Sequence, residues 1–195
     1  MTATKLKLAA LTLFTESGYE GTSMSQIAKA VGIKTPSIYA HFESKEHLFL
    51  TLVEFVIQED CDQLLRIIAQ TADQPPLERV RAVFNHYSDR GTPTMEKSFL
   101  KRAIMVPPRH LRERLRQDFD GHERFLTHHI VLLFRGCMDG GAELDEEEEC
   151  RLIALFYALV DGLIVERELY DKELFLERQE QLWAWFCKAI TCKRG

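Results

Sequence analysis

Along almost the whole of this 195-residue chain the apolar residues recur at the spacing of an α-helix, and no stretch alternates apolar with polar residues as a half-buried strand would. That regularity points to an all-α fold. Leu6, Ala9, Ala10, Leu13 and Phe14 follow the i, i+3, i+4, i+7, i+8 pattern and predict an amphipathic helix over 4–17. Gly18 closes it, where a positive φ costs glycine little. Ser23 with Gln26 three residues on makes a capping box ahead of Ile27, Ala28 and Val31, and Gly32 ends that short helix.

Thr35-Pro36 opens a third helix, the hydroxyl as cap and the proline at the first helical position, where its missing N–H costs nothing. Ser44 caps a fourth, which runs well past residue 60 towards Pro75-Pro76. A fifth follows to about residue 89, with a turn at Gly91 and Pro93, and a sixth, about 94–105, is closed by Pro107-Pro108. A seventh spans about 108–138, up to Gly140-Gly141. Asp145 with Glu148 caps an eighth, whose acidic start suits the helix dipole, and Asp171 caps a ninth running to about residue 191. No 34-residue self-similarity marks a helical solenoid.

The composition, 46% hydrophobic and 28% charged, is that of a folded globular protein and excludes a disordered or collagen-like chain. No apolar run approaches the roughly 20 residues of a bilayer-crossing helix. The periodic start MTATKLKLAALTLF lacks the small-residue cleavage site of a signal peptide. The chain is therefore expected in the cytoplasm, without a membrane partner. Cys61, Cys137, Cys150, Cys187 and Cys192 form no C-x-x-C pair and fit neither a zinc ribbon nor a disulfide framework, so reduced thiols are expected. The net charge of −5 is unevenly spread: residues 1–50 hold five lysines and four glutamates, and the remainder carries the acidic excess. Overall acidity therefore does not argue against a nucleic-acid partner.

Segment 24–43 has the spacing of a helix-turn-helix. Ala28 is small where two helices cross, Gly32 permits the turn, and Ile38 plugs the space between them, with Ile27, Val31, Ile33 and Phe42 filling the remainder. Thr35, Ser37, Tyr39, Ala40 and His41 are left as a small, polar, slightly cationic face. Small side chains at such a helix let its backbone sink into the major groove, and hydroxyls bond base edges or phosphates. Lys34 and Lys45 flank the helix, placed to pair with phosphates.

The stretch from Leu6 to Leu48 resembles the DNA-binding domain of the tetracycline-repressor (TetR) family in Ala9-Ala10, Phe14, Gly18-Tyr19, Thr22-Ser23, Ile27-Ala28, Gly32, Ile38-Tyr39, His41-Phe42 and Ser44-Lys45-Glu46. The resemblance implies phosphate contacts from Tyr39, His41 and Lys45 and groove contacts from Thr35, Pro36, Ser37 and Ala40, with Lys34 and Ser25 completing the expected DNA-binding set. Glycine is common in the family where Pro36 stands, so the operator sequence does not carry over. The implied architecture is a helix-turn-helix domain over 1–47 and a six-helix ligand-binding and dimerisation domain over 48–195. It also implies an inducer cavity in the helical body, for which Phe84, Tyr87, Phe99, Met105, His122, Phe125 and Tyr157 are the candidate lining residues.

One helix-turn-helix covers few base pairs, so specificity requires two copies about 34 Å apart on a palindrome. The last two helices are apolar on more than one face, which predicts a C2 four-helix bundle with Phe156, Val160, Leu163, Leu182, Trp183 and Phe186 at the dimer interface. Arg109, Arg112, Arg114 and Arg116 crowd the start of the seventh helix and read as a solvated face. His122-Glu123 is followed by Leu126, not histidine, so H-E-x-x-H is absent, and neither a nucleophile elbow nor a phosphate-binding glycine loop is present. Neither catalysis, a metal nor a cofactor is expected. The expected function is a homodimeric transcriptional repressor, released from a palindromic double-stranded operator by a small, largely apolar inducer. The alternatives are a DNA-bound scaffold whose effector is a partner protein, and a ligand-dependent activator.

Overall fold

Caps and turn glycines decide where each periodic segment begins and ends in the computed structural model, which describes residues 2–88, 94–138 and 144–191. Among the described residues there are nine α-helices, one 3₁₀ turn and no strand: α1 Thr2–Ser17, α2 Met24–Val31, α3 Thr35–Ile38, α4 Lys45–Gln70, α5 Pro76–Tyr87, α6 Met95–Met105, the 3₁₀ turn Arg109–Leu111, α7 Arg112–Arg135, α8 Glu146–Leu169 and α9 Lys172–Thr191. The turns expected at Gly91, Pro93 and Gly140-Gly141 lie outside the described residues.

Gly18 and Gly32 adopt φ of 74° and 76°, the left-handed geometry that ends α1 and α2. Ser23 and Gln26 form the reciprocal capping box of α2. The backbone N–H of His47, Lys97, Glu148 and Leu174 donates to the side-chain oxygen of Ser44, Thr94, Asp145 and Asp171 respectively, each fixing a helix start. Two expectations are corrected. Thr35 is not a cap: Lys34 occupies that position without a side-chain bond, and Thr35 is already helical, with the following proline fixing the backbone. The seventh helix begins later than expected because Pro108 breaks the chain before the 3₁₀ turn.

The chain divides into two compact units that interleave in sequence. The first takes the described residues of 1–61 and 93–122, the second those of 62–92 and 123–195. The boundary between these compact units falls within α4 and within α7. The first unit's core gathers Leu6, Phe14, Ile27, Ile38, Leu48, Phe49, Leu52 and Phe99, with Leu111 and Leu115 closing it. Phe49 stands edge-on to Phe14, Tyr19 and Phe99 at centroid distances of 5.1–5.4 Å, so α4 is the floor on which the three short N-terminal helices pack. Within this unit α7 follows α4 in parallel: His110 meets Glu46 at 3.6 Å, Arg114 meets Glu54 at 3.6 Å, and His122 meets Asp60 at 3.0 Å.

The second unit is built around an aromatic cluster of Phe84, Phe134, Phe156, Trp183 and Phe186, with centroids 5.3–6.2 Å apart. One buried polar link crosses it. Gln179 Nε2 donates to Ser88 Oγ, which in turn donates to the Phe84 carbonyl at 2.6 Å. This satisfies the end of α5 where water has no access.

Candidate nucleic-acid interface

Two short helices hold the site because their inner faces leave no room for another arrangement. Ile27, Ala28 and Ile38 are fully buried and Phe42 nearly so. The turn is closed by bonds from the N–H of Gly32 to the Lys29 carbonyl at 3.1 Å and from Ile33 to Ala28 at 3.0 Å. A Cβ built on Gly32 would meet nothing within 4 Å, so glycine is required there for its dihedral angle alone. After α3 the chain tightens through His41 N–H and Phe42 N–H, both bonded to the Ile38 carbonyl at 3.0 Å.

Every outward side chain of this turn is at the surface. Ser25, Lys34, Pro36, Ser37, Tyr39, Ala40 and His41 are exposed and Thr35 is half-buried. Tyr39 leaves 52% of its surface in water, so both its ring and its hydroxyl are accessible on this face. Ser25 Oγ lies 3.1 Å from Ser23 Oγ, holding it beside the α2 cap. No aspartate or glutamate occurs from Gly21 to Phe42, while Lys29 and Lys34 do. The face that α3 presents is therefore positive in an otherwise acidic chain, as a surface meeting phosphates must be.

Lys45 is engaged within the unit itself. Its Nζ donates to the carbonyls of Tyr19 at 2.8 Å and Thr22 at 3.1 Å, and sits 4.1 Å from the centre of the Tyr19 ring. α1 has no basic residue in its own last turn, so the carbonyls at and beyond its end find their cations elsewhere. Arg102 of α6 supplies the other, donating to the Thr15 carbonyl at 3.3 Å. Tyr19 keeps its proton firmly: burial first, then the carboxylates of Glu46 and Glu20, push its phenol above the usual value. The Lys45 ammonium thus holds the α1–α2 loop on α4.

The residues expected to line a cavity fall in both units. Phe99, Met105 and His122 belong to the first; Phe84, Tyr87, Phe125 and Tyr157 belong to the second. Phe84 and Phe99 are fully buried core, and Met105 is 55% exposed. His122 is committed to Asp60, both side chains about nine-tenths buried. Tyr87, Phe125 and Tyr157 are half-buried, and the Tyr157 hydroxyl lies 3.0 Å from Thr127 Oγ1.

The residues expected at a dimer interface belong to α8 and α9. Phe156, Val160, Leu163, Trp183 and Phe186 are buried in the second unit's own core, so they have almost no surface left to give a partner; Leu182 is half-buried. The free face of α8 is another stripe: Leu155, Ala158, Gly162, Val165 and Leu169 are all exposed. Their alternating spacing of three and four is a heptad pattern, the sequence signal that would have identified them. On α9 the exposed apolar residues are Ala184 and Trp185, the latter 70% in water beneath the Lys188 ammonium.

Residues 8–52 match the family described as "Bacterial regulatory proteins, tetR family". The biofilm operon icaADBC HTH-type negative transcriptional regulator IcaR of Staphylococcus epidermidis is 44% identical over 57 residues, which is 29% of this chain and 31% of that protein. IcaR of Staphylococcus aureus strain Newman is 52% identical over 40 residues, 20% of this chain and 22% of the relative. The chain thus spans less than a third of the length of each of these curated relatives. Similarity of fold extends much further. A TetR-family transcriptional regulator from Streptomyces coelicolor, SCO4454, superimposes with a TM-score of 0.70 at 16% identity, covering 96% of this chain and 93% of that one. AibR, solved in complex with isovaleryl coenzyme A and operator DNA, gives 0.68 at 20% identity, covering 95% and 97%.

Proposed function

We propose that this chain, a member of the TetR family of transcriptional regulators by its residues 8–52, acts as a homodimeric repressor that leaves a palindromic operator when a small, largely apolar molecule binds in its helical body. The observation that carries the reading is the acid-free face of α3, with Lys34, Ser37, Tyr39 and His41 exposed on a rigid turn. Thr35, Pro36, Ser37 and Ala40 would enter the major groove, while Lys34, Tyr39, His41 and the Ser25 hydroxyl would meet the phosphates beside it. The division of labour is residues 1–47 for DNA and 48–195 for ligand and dimer.

The dimer would form on the exposed heptad stripe of α8 and on Trp185 of α9, burying apolar surface that a monomer leaves in water. For the ligand, the half-buried Tyr87, Phe125 and Tyr157, with the Thr127 hydroxyl as a polar group, are the proposed lining of the second unit. α4 carries Leu48, Leu52 and Val56 in one core and Leu64 and Ile67 in the other, so a single helix links ligand and DNA. A ligand that favours the non-binding state by about 2–3 kcal/mol would lower operator affinity roughly 30–150-fold. The reading places the protein in the cytoplasm and gives it no catalytic step. Among the described residues no helix is long and apolar enough to cross a membrane.

The test is sedimentation followed by retention of chromosomal fragments on the purified protein. A dimer that retains a discrete set of double-stranded fragments, and loses them when Tyr39→Ala is introduced, is the expected result. A monomer at micromolar concentration would overturn the dimer, and retention unaffected by the substitution would overturn the docking.

A further inference from the structure

The start of α7 carries cations that the helix-turn-helix does not account for. Arg109 in the 3₁₀ turn, with Arg112 and Arg116 in α7, lies on one flank of a continuous right-handed path, spaced three and four residues apart. All three are exposed, and among the described residues no salt bridge or side-chain hydrogen bond engages them. Their neighbours behave differently. Arg114 is paired with Asp118 at 3.1 Å and faces Glu54 at 3.6 Å, while Leu111 and Leu115 are buried against α4. The helix therefore spends one face on the core, one arginine on local carboxylates, and leaves a basic flank in water. Glu113 is the acidic residue among them, and the next along α7 after the Arg114–Asp118 pair are Asp120 and Glu123, beyond Arg116.

What gives this flank a direction is its level in the fold. His110, between two of the residues in question, lies 3.6 Å from Glu46 and 5.4 Å from the Tyr19 ring. It is thus at the first turn of α4, the helix that starts immediately after the α3 segment. From there α7 runs parallel to α4 away from that end, through the contacts at Glu54 and Asp60. The basic flank is consequently at the end of the first unit that carries the DNA-facing turn, and it fades towards the far end.

We propose that Arg109 and Arg112 form a second, sequence-independent contact with the phosphate backbone of the duplex, outside the groove entered by α3. The proposal rests on the DNA-binding reading above and adds to it. Guanidinium forks at a junction anchored by Leu111 are suited to phosphate oxygens, and they would fix the duplex on the protein without reading bases. Each phosphate so neutralised releases condensed counterions, so the contact is visible in the salt dependence of binding.

The experiment is fluorescence anisotropy of the full chain on a mixed-sequence duplex of about 40 base pairs, titrated across salt concentrations. Arg109→Ala/Arg112→Ala is expected to lower the slope of log K against log salt by about two per protomer and to weaken binding most at low salt. Arg109→Lys/Arg112→Lys should retain the slope, because a point charge still displaces counterions. Arg124→Ala, about 18 Å further along α7 from Arg112, should leave it unchanged. An unchanged slope in the double alanine variant, with binding by the parent chain intact, would overturn this contact and leave the helix-turn-helix reading standing. A fall of equal size in Arg124→Ala would reduce the effect to net charge and overturn it too. Failure of the parent chain to bind any duplex in dilute buffer would overturn the underlying reading instead.

Discussion

Replacing Lys45 by methionine keeps the length of the side chain and removes its charge. The ammonium makes two hydrogen bonds to carbonyls, at 2.8 and 3.1 Å, and lies 4.1 Å from the Tyr19 ring centre. A hydrogen bond to a charged group contributes about 1.5–3 kcal/mol when well shielded, and Lys45 is only half-buried, so about 1 kcal/mol for each bond is the appropriate scale. The ring contact adds about 0.5 kcal/mol at such a site. Lys45→Met is therefore expected to destabilise the fold by about 2–2.5 kcal/mol, offset slightly by the methionine's own packing. For a chain of this size that corresponds to a fall in Tm of about 4–10 °C. Thermal melting followed by circular dichroism measures it, with Tyr19→Leu and the double variant completing a cycle. Operator affinity should fall with stability while the salt slope stays as in the parent chain, because the charge is engaged on carbonyls. A loss below about 0.5 kcal/mol, or a slope lower by about one per protomer, would refute the assignment of Lys45 as an internal clamp.

Other outcomes follow from the same structure. Gly32→Ala should cost about 1–2 kcal/mol through its positive φ alone, whereas at Gly18 the added Cβ would also approach the Arg102 guanidinium to 2.8 Å and loosen its hold on α1; urea unfolding of the two variants should rank Gly18→Ala as the more damaging. Phe186→Ala opens the centre of the aromatic cluster and should lower stability by about 3–5 kcal/mol in the same assay. The Cys137 thiol is pushed up to about 11, chiefly by burial and then by the neighbouring Cys187, so timed alkylation near pH 8 with mass-spectrometric readout should modify exposed Cys150 well before Cys137. Because the folded state raises that pKa above the ordinary thiol value of 9.0, the associated stability is present below pH 9 and is lost as pH rises towards 11; alkaline melting should show a decline across that window that Cys137→Ala reduces. Val165→Glu should convert the dimer to monomer in sedimentation without lowering the helical signal, since Val165 is 45% exposed.

Much of this molecule is legible in its sequence, for reasons that are local. Helix starts at Ser23, Ser44, Asp145 and Asp171 depend on an oxygen and an N–H a few residues apart, and the ends at Gly18 and Gly32 depend on one dihedral angle. The plug at Ile38 follows from spacing for the same reason. What sequence alone did not disclose depends on distant partners. Lys45 finds carbonyls 23 and 26 residues away, and His122 finds a carboxylate 62 residues away, contacts that no local spacing announces. Both faces of α8 are apolar, so periodicity does not tell them apart: the bulky Phe156 packs into the unit's own core, while the exposed heptad stripe is made of smaller residues. A hydroxyl before a proline marks Thr35 as a cap in the sequence, but the turn after Gly32 starts the helix one residue earlier.

The account stands most directly on hydroxyl-radical footprinting of a chromosomal fragment retained by the purified protein. It predicts two protected segments related by a dyad, their centres about 34 Å apart, one turn of the duplex. A single protected segment, or uniform cleavage at saturating protein in dilute buffer, would contradict it.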